Sequence, residues 1–264
     1  MHLFILIQAV ILGIVEGLTE FLPVSSTGHL IIVGDLLGFT GERAKTFEIF
    51  IQLGSILGVV WFYRAKVADL VVNAAKPPER QFILNLFIAF LPAAIIGLAT
   101  HKFIKAHLFD PVTVASALIA GGIIILLVER FPRRVRIESI DVMKPLDAFK
   151  VGIAQSFALF PGVSRAGATI MGGLLSGLSR RAATEFSFFL AMPTMFAATL
   201  FDLYKNFHLL TVEDAAYFGI GFVVAFITAL FVVRVFLAYV SRHTFVPFAW
   251  YRIGFGLLVL MYFL

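Results

Sequence analysis

Apolar runs separated by short polar clusters set the rhythm of this chain. Uncharged or nearly uncharged stretches occupy 49–63, 82–100, 112–128, 186–201, 215–233 and 244–264, the last with Arg252 inside it. Each approaches the roughly 20 residues that an α-helix needs to cross the hydrocarbon core of a bilayer. The pattern predicts about six membrane-spanning helices.

Two further regions are apolar but broken. Residues 1–21 are followed by Pro23, Ser25, Ser26 and Gly28 before a second short apolar run at 30–37, and residues 151–160 are followed by Pro161, Gly162 and Ser164 before another. Neither half is long enough to span. A helix that enters, breaks at Pro and Ser and returns to its own side fits both, because irregular backbone at that depth is tolerated only against protein or a polar cavity. The two regions are also similar to each other. Sliding residues 13–31 by 139 positions lays GIVEGLTEFLPVSSTGHLI over GIAQSFALFPGVSRAGATI without a gap, with matches at Gly13, Ile14, Phe21, Val24, Ser25, Gly28 and Ile31. Later segments follow in the same order in both halves. The expected fold is therefore an all-α polytopic membrane protein forming one integral domain over 1–264. It holds two repeats, approximately 1–130 and 145–264, each with one re-entrant hairpin and three spans. An odd number of crossings inverts the second repeat and brings the broken helices together near the midplane.

Composition agrees with that class. Of 264 residues, 60% are hydrophobic, 30 are phenylalanine and only 14% are charged, where a soluble domain carries roughly a quarter. Mean hydropathy is +0.98. The net charge of +5 does not point to nucleic acid, because the cations lie in short clusters between apolar runs. On this topology one face collects Arg64, Lys66, Lys76, Arg80, Arg130, Arg133, Arg134, Arg136, Lys144, Arg180, Arg181 and Arg242, against Arg43, Lys45, Lys102, Lys105 and Lys205 on the other. The richer face is expected to be cytoplasmic. Both termini and the mouth of the first hairpin then face outward. The absence of cysteine excludes disulfides, thiolate metal sites and a Cys nucleophile. The N-terminal stretch lacks a basic region and a small-residue cleavage site, so it reads as mature protein rather than signal peptide.

Chemistry concentrates in the hairpins. Glu16 and Glu20 are four residues apart and share a helical face, inside an apolar segment where a charge costs about 2.5–3.5 kcal/mol on insertion scales. A position at the interface or protonation would reduce that cost. Two carboxylates sharing a site need a proton or a cation between them, and a hard divalent ion such as Mg²⁺ or Ca²⁺ suits oxygen donors. In PVSSTGH, Pro23 ends the entering leg, and Ser25 or Ser26 can cap the returning one, which aims a positive helix end into the cavity. Ser26 and His29 are three apart and can pair as hydroxyl nucleophile and proton acceptor, with Thr27 between them. The second hairpin offers PGVSRAGAT. There Ser164 repeats the cap of Ser25, and Arg165 brings a planar permanent cation suited to phosphate. Gln155 and Leu159 stand where the first copy has Glu16 and Glu20, so the acidic chemistry belongs to the first copy alone. Glu48 and Gln52 begin a span and read first as span-end polar residues, with contact to the cavity as the alternative; Glu185 and Asp202 read as span-end residues, and Arg234 and Arg252 as snorkelling or paired cations.

EGLTEFLPVSSTGH and PGVSRAGAT resemble the two signature motifs of the undecaprenyl-diphosphatase family, the bacitracin-resistance type of bacterial membrane lipid phosphatase. The likeness extends over the whole chain, through AKTFEIFIQLGSIL and the region from TEFSFFLAMP to FDLYK. It implies metal-dependent removal of the terminal phosphate of undecaprenyl diphosphate, which regenerates the monophosphate carrier for cell-wall synthesis in the bacterial inner membrane, with an active site opening to the outer face. By position it implies Glu16 and Glu20 as acidic metal or catalytic residues and Ser26 as nucleophile. Ser25, Thr27 and His29 are then supporting groups, and Ser164 and Arg165 phosphate ligands. The family commonly has a serine after the arginine where this chain has Ala166, a departure that implies weaker phosphate binding unless Thr169 or Ser164 compensates. A covalent phosphoserine and direct attack by water are both open. A lipid transporter or flippase is the alternative reading, since inverted repeats with broken helices are also transporter architecture. The phosphatidate phosphatase superfamily fits less well, because Met171 and Leu175 stand where its His and Asp are expected. Expected partners are the polyprenyl diphosphate and membrane lipid, with a homodimer left open.

Overall fold

Run length decides the architecture. The computed structural model describes residues 2–108, 110–131, 134–206 and 215–264. Among them lie eleven α-helices and no strand pairing beyond one isolated bridge. α1 (His2–Thr19) and α2 (Ser26–Leu36) are followed by α3 (Glu42–Phe62), the short α4 (Arg64–Val72), α5 (Pro77–His107) and α6 (Pro111–Arg130). α7 (Pro145–Ser156), a 3-10 turn at Phe157–Leu159 and α8 (Arg165–Leu175) are followed by α9 (Arg180–Asn206), α10 (Ala215–Val240) and α11 (Val246–Phe263). Among the described residues six stretches are long and apolar enough to span: Ala44–Phe62, Pro77–Thr100, Pro111–Arg130, Arg180–Phe201, Ala215–Val240 and Val246–Phe263. Each coincides with one of the apolar runs. The chain is an all-helical, multi-pass membrane protein.

In each broken segment the two short helices pack against each other. Gln8 near the start of α1 donates to the Leu37 carbonyl just past α2 at 2.7 Å. In the second segment Arg136 contacts Asp147 in the first turn of α7 at 3.4 Å and donates to the Ser176 carbonyl just past α8 at 2.7 Å. Between α4 and the connection before α7, Lys66 and Asp141 pair at 2.8 Å. Glu129 gathers Arg180 and the Phe245 N–H, tying the end of α6, the start of α9 and the α10–α11 connection together. The Lys66 ammonium, by donating to Asp141, holds that carboxyl below its usual range. Arg133 lies outside the described residues, as do the side chains of Arg43, Lys102, Lys105 and Asp202. Glu185 pairs with Arg181 one turn back along α9.

Helices that gain little from burying apolar surface in lipid associate through close backbone approach at small residues. A Cβ added at Gly13 would meet the Gly221 carbonyl at 2.7 Å, one at Gly54 the Phe222 carbonyl at 2.4 Å, and one at Gly152 the Ala89 carbonyl at 2.6 Å. These contacts seat α1 and α3 on α10, and α7 on α5. The core centres on α9, whose Phe186, Phe188 and Phe189 are buried with Phe21 and Phe82. Leu98, Val223, Phe231 and Met261 are exposed on the outer faces, where the surrounding medium is hydrocarbon.

Candidate active site

Both breaks adopt the same uncommon backbone. Ser25 and Ser164 have φ of 70° and 72°, the only non-glycine residues at positive φ among those described. Such conformations cost about 1–3 kcal/mol each and persist where the surroundings impose them, commonly at functional sites. Pro23 supplies no N–H to continue α1, and Gly162, at φ 91°, takes the matching turn in the second break.

Between the breaks Glu20 acts as a hub. Its Oε2 accepts the Ser26 hydroxyl at 2.6 Å, and its Oε1 accepts Arg165 Nη2 at 3.0 Å. One carboxylate therefore ties a hydroxyl of the first hairpin to the guanidinium of the second. Arg165 is steadied further by Nη1 donation to the Ser187 carbonyl at 3.1 Å and by the Phe21 ring 5.5 Å away, while its buried Nε has no partner. A cavity of about 160 Å³ opens beside this hub. Glu20, Ser25, Ser26, Thr27, Gln52, Ser164 and Arg165 form its polar wall, and Ala158, Phe160, Pro161, Met195 and Ala198 its apolar one.

Glu16 lies one turn below Glu20, wholly buried, with neither carboxylate oxygen hydrogen-bonded. An unpartnered buried carboxylate in an apolar bundle is costly. Two hard oxygen donors at this spacing fit a divalent cation that draws its other ligands from water and phosphate, as Mg²⁺ does. Among the described residues no group of three or more His, Asp or Glu could hold a metal, so a bound ion would depend on those outside ligands.

The pattern of bacitracin resistance protein BacA matches residues 9–258. The chain belongs to that family. Relatives named undecaprenyl-diphosphatase agree over nearly the whole length. The protein from Dechloromonas aromatica is 59% identical across 97% of this chain and 94% of its own. That from Nitrosospira multiformis is 58% identical across 99% and 96%, and that from Methylobacillus flagellatus 53% identical across all of both.

Within this BacA-family frame the structure redraws several expected contacts. Ser26 faces Glu20 and not His29. The His29 Nδ1–H donates to the Ser25 carbonyl at 2.8 Å, which leaves Nε2 of the neutral ring to accept the Tyr251 hydroxyl at 2.6 Å, and Phe255 stacks on the ring at 4.1 Å. Both ring nitrogens are occupied. Thr169 is not on the cavity wall either: it is fully buried, and its hydroxyl is 2.6 Å from that of Ser187, pinning α8 to α9 behind Arg165. Ala166 is buried in the apolar core cluster and does not line the cavity. Ser164 does cap α8, accepting from the Gly167 N–H at 3.0 Å, whereas Ser25 makes no side-chain cap. Gln52 reaches the cavity; Glu48 does not line it. Arg234 is exposed on α10.

Arg252 departs furthest from expectation. It neither snorkels nor pairs with a carboxylate. It is completely buried, and its guanidinium is surrounded by backbone carbonyls. A lone arginine in an apolar run does not reveal acceptors that lie elsewhere in the chain. The adjacent glycines Gly121 and Gly122 in α6 were the available signal, since a Cβ at Gly121 would fall 2.1 Å from Arg252 Nη2. Ser187, inside the TEFSFFLAMP stretch, was likewise recognisable only once Arg165 had been placed.

Proposed function

We propose that the protein hydrolyses undecaprenyl diphosphate to undecaprenyl phosphate and inorganic phosphate in the bacterial cytoplasmic membrane, and so recycles the lipid carrier and confers bacitracin resistance. The observation that carries this reading is the Ser26–Glu20–Arg165 chain, which joins a nucleophile, a proton acceptor and a phosphate-binding cation across two hairpins. Full-length relatives that bear the corresponding name support it.

In this mechanism the diphosphate enters the polar half of the cavity. Arg165 and the first-turn N–H groups of α2 hold its oxygens, and the Ser25, Thr27 and Ser164 hydroxyls line the same wall. The prenyl tail leaves past Ala158, Phe160 and Ala198, beside the exposed Phe157. Ser26 Oγ attacks the terminal phosphorus and gives its proton to Glu20. The P–O bond to the bridging oxygen breaks, and undecaprenyl phosphate departs. Glu20 passes that proton to the departing phosphate, then takes one from the water that attacks phosphoserine and returns it to Ser26 Oγ as the Oγ–P bond breaks and inorganic phosphate is released. His29 positions the loop through the Ser25 carbonyl. Glu16 and Glu20 would hold Mg²⁺ or Ca²⁺, which when bound offsets charge on the diphosphate.

The repeats at about 1–130 and 145–264 are taken to be inverted in the membrane. The end bearing Lys66, Arg136 and Arg180 is cytoplasmic, and the first hairpin opens outward. Two hairpins rooted at opposite ends also suit a lipid flippase, but transport alone gives no reason for a serine hydroxyl held by a glutamate.

The test is phosphate release from undecaprenyl diphosphate by the purified protein in detergent, with Mg²⁺, with Ca²⁺ and with chelator. Turnover should require the ion and fall by about 10²–10³-fold in Arg165→Ala. Ser26→Ala should lose turnover and the trapped phosphoserine together. Retained turnover in Ser26→Ala would replace serine attack by direct attack of water. An inactive, well-folded wild type that flips a non-hydrolysable analogue would favour transport.

A further inference from the structure

An arginine can be buried in an apolar bundle only if all its donors are met. Arg252 meets this condition with backbone alone. Nε donates to the Leu118 carbonyl at 3.2 Å. Nη1 donates to Pro23 at 3.1 Å and Val163 at 2.9 Å. Nη2 donates to Ala117 at 3.2 Å and Gly162 at 3.0 Å. Two acceptors belong to α6, one to the first break and two to the second. The first-break acceptor lies two residues before Ser25, and the second-break acceptors are the two residues before Ser164. The residues next to Arg252 act on the same loops, since Tyr251 and Phe255 hold His29, whose ring in turn holds the Ser25 carbonyl.

We propose that Arg252 is a positioning residue for the reaction, a guanidinium clamp that fixes the two breaks against each other so that Ser26 and Glu20 face Arg165. No contact of Arg252 reaches the cavity-lining side chains; it acts through the Pro23, Gly162 and Val163 carbonyls. Those carbonyls set where the two positive-φ serines sit, and therefore where the nucleophile and the phosphate cation meet. A misplacement of about 1 Å between reacting groups can cost on the order of 10²-fold in rate. Substrate binding should change less, because the tail and its lipid surroundings do not touch the clamp. Gly121 is part of the device. It leaves room for Nη2, and a methyl there would displace the guanidinium although its charge remains.

The inference rests on the phosphatase reading, so the experiment separates the two. Arg252→Lys keeps the charge but offers three donors where five are used, and Gly121→Ala displaces the arginine without removing it. Both should lower kcat by about 10²-fold with KM within about threefold of wild type. Arg180→Gln, which breaks the ion pair with Glu129 at the far end of the bundle, serves as a destabilised control and should keep kcat within about twofold at a comparable fall in melting temperature. A second readout needs no turnover. The chain has no cysteine, so nitroxide labels at Leu36→Cys and Leu175→Cys, exposed ends of α2 and α8, report the spacing of the hairpins. That distance distribution should shift or broaden in Arg252→Lys and Gly121→Ala, and stay narrow in Arg180→Gln. Near-wild-type kcat in both clamp variants, or an equal kcat loss in Arg180→Gln, would make Arg252 a structural strut only. If Arg252→Lys does not fold, Gly121→Ala decides. If the wild type itself releases no phosphate, the phosphatase reading fails and the label distances alone judge the clamp.

Discussion

The two hairpins share a backbone and differ in what it carries. Each has a proline or glycine break, a serine at φ near 70° and an eleven-residue returning helix. In the first, Glu16 is buried without a partner and Glu20 binds Ser26. In the second, Gln155 and Leu159 stand at those places. Gln155 spans between the Ala89 carbonyl and Thr194 at 3.4 Å each, and Leu159 packs against Gly97. At these two positions the second hairpin is satisfied, while the first leaves both Glu16 oxygens without a hydrogen bond. An unsatisfied buried carboxylate weakens a fold, so Glu16 is where the two copies differ most in cost.

The largest expected effect breaks the first hairpin at its hub. Glu20→Gln removes the proton acceptor of Ser26 and the ion-pair partner of Arg165 together, and turnover should fall by about 10³-fold. His29→Gln should cost only about tenfold, because the ring's nitrogens serve Ser25 and Tyr251. Steady-state phosphate release on both variants tells the two candidate bases apart; an equal loss would restore His29 as the acceptor.

A smaller effect sharpens the contrast in stability. Gln155→Glu places a carboxylate where only a carbonyl and a hydroxyl face it, and should destabilise by about 1–3 kcal/mol. Glu16→Gln should leave stability unchanged or raise it, while removing the response of activity to added cation. Melting in detergent paired with metal titration tests both. A stability loss in Glu16→Gln would mean that its carboxylate supports the fold through contacts of its own.

Sequence made much of this legible, for a physical reason. Lipid demands about 20 apolar residues per crossing, so all six spans stand out, and the breaks declare themselves through Pro23, Pro161 and their serines. Glu16, Glu20 and Arg165 were visible because charge in such segments is expensive. Partners were not. The spacing of Ser26 and His29 allowed a pair, yet the turn at Ser25 rotates the hydroxyl to Glu20 across the break. Thr169 sits one turn beyond Arg165 and looked available, but its hydroxyl is used by α9. Arg252 shows the limit most clearly: its acceptors lie 89 to 229 residues away along the chain, a relation that no local pattern encodes.

The finest difference between the hairpins lies in their matching serines, and it yields the smallest predicted effects. Both serines line the cavity, but Ser164 Oγ also accepts the Gly167 N–H, while Ser25 Oγ makes no cap. Ser164→Ala should therefore lose about 1 kcal/mol as a missing N-cap. Ser25→Ala should lose only a fraction of that, since alanine at the same positive φ is no more strained than serine. Activity should run the other way. The Ser25 hydroxyl is free to meet a phosphate oxygen, so its removal should raise KM by severalfold, with the melting temperature almost unmoved. If both variants lose stability alike and neither changes KM, the hydroxyls serve the same structural purpose, and the asymmetry between the hairpins is confined to Glu16, Glu20 and Arg165.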